Sequence, residues 1–86
     1  MEKRVGFVGI IVENRKVVAD QLNHILTETG DIIIGRMGIP YPARHCSVIT
    51  LIVDATTDQI GDLTGKLGML EGVIVKSALS RKGGTP

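Results

Sequence analysis

Two uncharged apolar runs constrain this chain more than anything else in it: residues 5–12 (VGFVGIIV) and 46–53 (CSVITLIV). Both are rich in β-branched residues, and both are apolar on odd and even positions alike. Each is too short for a buried helix and reads as a strand with apolar side chains on its two faces. Between them the period changes. Val18, Leu22, Ile25 and Leu26 share one helical stripe. Asn14 is the expected N-cap, because its side chain can accept from backbone N–H groups just ahead of it, and Gly30 is the expected stop. Residues 31–39 (DIIIGRMGI) form the expected second strand, ended by Pro40-Tyr41-Pro42. After the second apolar run, Thr56 and Thr57 are cap candidates for a helix running to about Leu70. Its stripe is Ile60, Leu63, Leu67 and Leu70, and Gly72 ends it. Residues 73–79 (VIVKSAL) form the fourth strand.

That order is βαββαβ. It predicts an α+β, ferredoxin-like fold, a four-stranded antiparallel sheet with both helices on one face. Strands one and three carry no charge, as central strands should, while strands two and four carry Arg36 and Lys76, as edges tend to. The expected spatial order is therefore 4-1-3-2. Residues 1–80 make one domain, and 81–86 are expected to be a flexible tail.

The remaining composition mostly excludes. Ten basic against nine acidic residues give a net charge of +1, so there is no basic field for direct nucleic-acid binding. A single cysteine cannot build a disulfide framework or a zinc finger. No run approaches the length of a membrane helix, and no signal-peptide pattern is visible. The expected location is cytoplasmic.

Two features call for an explanation. Two helices cover one face of a four-stranded sheet, yet the first strand sends Val5, Phe7 and Ile11 one way and Val8, Ile10 and Val12 the other. The third strand splits the same way, with Ile49, Leu51 and Val53 against Val48 and Ile52. A second apolar face predicts a homo-oligomer, a dimer or a tetramer. The other feature is Gly61, Gly65 and Gly68, which gather on the far side of the second helix from its apolar stripe, with Thr64 beside them. Interior glycines weaken a helix by about 0.8–1 kcal/mol each. Either the helix is poorly optimised, or a ligand or another backbone comes close there.

Catalytic patterns are missing. His45 and Cys46 are neighbours at a strand start and point to opposite faces, so they cannot chelate one metal together, although each could contribute to a site shared between subunits. No metal, cofactor or catalytic residue is assigned. A copper-chaperone C-x-x-C is absent from the first loop, and strand aromatics for stacking RNA bases are lacking. What remains is the loop after strand two. There Arg36, Tyr41, Arg44 and His45 could converge on an anionic group of a ligand or partner. The competing reading has the arginines solvated and Tyr41 packed over the sheet edge.

Three stretches together resemble one family. They are Arg36-Met37-Gly38-Ile39-Pro40-Tyr41, the run Asp58-Gln59-Ile60-Gly61-Asp62-Leu63-Thr64-Gly65-Lys66-Leu67-Gly68, and Gly72-Val73-Ile74-Val75-Lys76. They look like the iron-only hydrogenase system regulators, small ACT-like proteins of ferredoxin fold. The resemblance implies a non-enzymatic ligand-sensing role, with a small-molecule effector and a protein partner in hydrogenase maturation. The family is also similar in shape to the C-terminal domain of nickel-responsive repressors, but this chain lacks their several-histidine set and their DNA-binding domain. A purely structural interaction module, or a small enzyme with a site between subunits, are the alternatives.

Overall fold

The structure is a computed structural model that describes residues 2–81. The elements run β1 (Arg4–Glu13), α1 (Lys16–Glu28), a short 3-10 turn (Gly30–Ile32), β2 (Ile33–Tyr41), a second 3-10 turn (Pro42–Arg44), β3 (Cys46–Ala55), α2 (Thr57–Gly68) and β4 (Val73–Leu79). The sheet order is β2-β3-β1-β4, with every pair antiparallel. This is the expected ferredoxin-like topology. The expected tail begins at residue 81, and residues 82–86 lie outside the described residues.

One face of the sheet carries the core. Val8, Ile10 and Val12 of β1 and Ile49, Leu51 and Val53 of β3 meet Val18, Leu22 and Leu26 of α1 and Ile60, Leu63 and Leu67 of α2. All are buried, and among the described residues no polar side chain is buried with them. Each such side chain contributes roughly 1.5–3 kcal/mol through its removal from water. Ile25, Leu70, Val73 and Val75 seal the margin of this core half-buried.

Local chemistry sets the ends of the helices. Thr56 caps α2 in a reciprocal box: its hydroxyl accepts from the Gln59 N–H at 3.1 Å, and the Gln59 side chain accepts from the Thr56 N–H at 2.9 Å. The other helix departs from expectation. Its N-cap is Arg15, with no side-chain cap, because Asn14 is engaged elsewhere: its Oδ1 accepts from the Ser47 hydroxyl at 2.9 Å. Asn14 thus ties the first turn to β3 and does not cap α1.

The second strand also differs from its expected limits. Asp31 and Ile32 wind into the 3-10 turn, which buries Ile32, and pairing begins only at Ile33. The strand then continues through Pro40 to Tyr41, opposite Ser47 and Cys46. Proline is tolerated because β2 is an edge, where its missing N–H breaks no ladder bond on the outer side. Near its start the register shifts between Ile33 and Gly35, leaving Ile34 as an extra, exposed residue. This bulge exchanges the two faces for everything downstream. It sends Met37, Ile39 and Tyr41 away from the helices and turns Arg36 toward them.

Candidate functional site

The loop singled out in the sequence is well defined in the structure. Pro42–Arg44 form a single 3-10 turn, and His45 follows in the left-handed region at φ 54°. The His45 N–H donates to the Pro42 carbonyl at 3.1 Å, and its own carbonyl accepts from the Asn14 N–H at 2.9 Å. The β2–β3 and β1–α1 connections are therefore tied together at one end of the sheet. Tyr41, Arg44 and His45 are all exposed there.

Arg36 does not join them. It stands on the helix side of β2, and its Nη2 donates to Asn23 Oδ1 on α1 at 3.1 Å. Tyr41 lies five positions along the same strand and therefore on the opposite face. The expected convergence of Arg36 and Tyr41 on one anion is not what the strand geometry allows. Among the described residues, no side-chain hydrogen bond or ion pair links Arg36, Tyr41, Arg44 and His45 to one another.

The glycine face of α2 is open. A Cβ at Gly61 or Gly65 would meet nothing within 4 Å, and one at Gly68 would make ordinary contact with Val75 at 3.8 Å. Nothing among the described residues explains these glycines. The Thr64 hydroxyl donates back to the Ile60 carbonyl at 2.8 Å, so its proton is engaged within the helix.

The structure adds a cluster that the sequence did not reveal. Glu13 and Arg15 form an ion pair at 3.2 Å, and Arg15 Nη2 also approaches the Glu71 carbonyl at 3.4 Å. Gly72 sits against this pair at φ +80°, where a Cβ would lie 2.9 Å from the Glu13 carboxyl carbon and 3.0 Å from Arg15 Nη2. Beside it a cleft of about 360 Å³ opens between the start of α1 and the turn after α2, lined by Arg15, Lys16, Gln21, Met69 and Glu71 among others. The members come from distant parts of the sequence, and only Gly72, already placed at a turn, gave a local sign.

The largest feature is the uncovered side of the sheet. Val5, Phe7 and Ile11 of β1, Met37, Ile39 and Tyr41 of β2, Val48 and Ile52 of β3, and Ile74 of β4 are each 43–67% exposed. A hollow of about 380 Å³ lies among Arg36, Met37, Thr50 and Ile52. The expectation of apolar side chains on both faces is met. Among the described residues, no group of three or more His, Cys, Asp or Glu could hold a metal ion, and no helix is long and apolar enough to cross a membrane.

Comparison with known proteins places this geometry. A family model, "TM1266-like: Iron-only hydrogenase system regulator, putative", matches residues 4–77. The chain belongs to this family. The uncharacterized protein TM1266 from Thermotoga maritima superposes with a TM-score of 0.91 at 35% identity, over 93% of this chain and 100% of that one. The ACT domain of a GTP pyrophosphokinase from Chlorobium tepidum superposes at 0.70 with 18% identity, over 88% of this chain and 99% of that one. The second likeness establishes an ACT-like fold and no more. No protein of curated function matches the chain.

Proposed function

We propose that this TM1266-like protein is a non-enzymatic, homo-oligomeric sensor that regulates an iron-only hydrogenase system through a protein partner in the cytoplasm. The observation that carries the reading is the family match over residues 4–77. Two features of the chain support it. The open sheet face is larger than a monomer usually leaves exposed, which favours an oligomer. The surface also carries features of the kind a small effector or partner engages: the exposed Tyr41, Arg44 and His45 at the β2–β3 loop, and the Gly61, Thr64, Gly65 and Gly68 face of α2. Arg36 stands apart from the loop and braces α1.

A thermal-shift screen against amino acids and nucleotides tests the sensing role. A ligand at a hundred times its Kd adds about 2.7 kcal/mol of stability, on the order of 10 °C for a domain of this size. A saturable shift, reduced by Tyr41→Ala or Arg44→Ala without a change in the unliganded melting temperature, is the expected result. If no such ligand emerges while protein extracted from the host remains bound to a partner, the chain is an interaction module without an effector.

A further inference from the structure

The open sheet face has relief as well as area. Across the sheet its residues form rows, read from the pairing: Gly35–Ile52–Phe7–Ala78, then Met37–Thr50–Gly9–Lys76, then Ile39–Val48–Ile11–Ile74. In the first row Phe7 stands high on β1 and Gly35 leaves β2 low. In the second the heights are reversed, with Met37 high on β2 and Gly9 low on β1. Met37 is 67% and Phe7 52% exposed. The nine large apolar side chains of this face, each 43–67% exposed, amount to a surface on the order of 800 Å², what one partner brings to a stable interface and more than the 300–600 Å² patch typical of a monomer.

We propose that a second copy of this chain closes the open face, about a twofold axis running along β3, with β1 of each copy packed over β2 of the other. This rests on the oligomeric reading above and specifies its surface. Rotation about that axis keeps each row opposite itself and exchanges β1 with β2. Phe7 then lies over Gly35 of the other copy, and Met37 over Gly9, so each high residue enters a low position in both directions. Ile11 meets Ile39, while Ile52, Thr50 and Val48 meet their own twins, as does Asp54 at the end of β3, where sheet twist carries the stacked strands apart. The sheets stack about 10 Å apart with their strands within about 30° of parallel, as aligned sheets do. Lys76, on β4, falls beyond the overlap and keeps its ammonium in solvent at the rim.

Two other twofold arrangements fit less well. An axis crossing the strands at the middle row would set Met37 over Met37 and Gly9 over Gly9, high on high and low on low, and would press Lys76 against its twin inside the overlap. An axis between β1 and β3 would stack Gly9 over Thr50 and Phe7 over Ile52, leaving one gap and one clash.

The test fills the low position. A Cβ at Gly9 has room within one chain, its nearest atom being the Lys76 carbonyl oxygen at 3.9 Å, and the rest of the side chain in Gly9→Leu projects onto the open face. It occupies the space that Met37 of the second copy needs, so dimerisation measured by sedimentation should weaken by about tenfold or more, with the melting curve still cooperative. Met37→Ala added to Gly9→Leu should restore the dimer. A second measurement uses the unmodified chain: Cys46 faces its twin near the axis, so a short bis-maleimide should yield a covalent dimer. Full dimerisation of Gly9→Leu, no rescue by Met37→Ala, or no Cys46 cross-link from a dimeric sample would each overturn this interface while leaving the oligomeric reading intact. A monomeric wild-type chain would overturn both.

Discussion

The two faces of the sheet are built from the same kinds of residue and end in opposite situations. On one, Val8, Ile10, Leu51 and Val53 lie at 0–1% exposure beneath α1 and α2. On the other, Phe7, Ile11, Val48 and Ile52, often the next residue in the chain, remain 43–52% exposed. Strand alternation assigns side chains to faces with confidence but does not say which face a chain covers for itself. That depends on where the two crossovers place their helices, and both lie on the same side here. The uncovered face is therefore available for association and contributes little to the fold of a single chain.

The sharpest way to break this contrast is to truncate neighbours on opposite faces. Leu51→Ala should destabilise the chain by about 2–5 kcal/mol at any protein concentration, because it leaves a cavity in the core. Ile52→Ala should reduce stability by about 1 kcal/mol or less when the protein is dilute, with a loss that grows as concentration rises. Urea melts at two concentrations measure both. Equal, concentration-independent losses would mean that the two faces do not differ as described.

A smaller effect tests how the covered side is fastened at its rim. Gly72→Ala places a methyl group against the Glu13–Arg15 pair in a left-handed backbone position, and should cost about 1–3 kcal/mol. Glu13→Ala added to it should recover the part caused by crowding, leaving only the backbone strain. If Gly72→Ala melts like the wild type, the cluster at Glu13, Arg15 and Gly72 exerts no constraint.

The smallest effect concerns the outer surface of the helix layer. Gly65→Ala meets open space and removes a helix-interior glycine, so the isolated chain should gain about 0.8–1 kcal/mol. A gain in stability with unchanged assembly and partner binding marks ordinary surface. A gain accompanied by loss of binding marks a site that another molecule approaches closely.

Much of this fold could be read from the sequence. The short apolar runs and the helical stripes between them give the element order, and the charges on strands two and four point to the observed order β2-β3-β1-β4. The failures were local. Asn14 had the chemistry of a cap, but Ser47 from a distant strand claimed its side chain. The bulge at Ile34 left no mark in a run of three isoleucines, and it decides which side Met37, Ile39 and Tyr41 face. The candidate site was less legible. Arg36 and Tyr41 fall on opposite sides of their strand by simple alternation, because β2 runs on through Pro40 to Tyr41 where the prolines point to a loop. The Glu13–Arg15–Gly72 cluster joins segments from opposite ends of the chain, and nothing local in either announces the other.

The central claim is that the open face does not stay open in solution. Sedimentation velocity of the wild-type chain at micromolar concentration tests it most directly. The expected result is a species of at least twice the 9.2 kDa chain mass, dissociating on dilution. A single 9.2 kDa species across the whole range would contradict it.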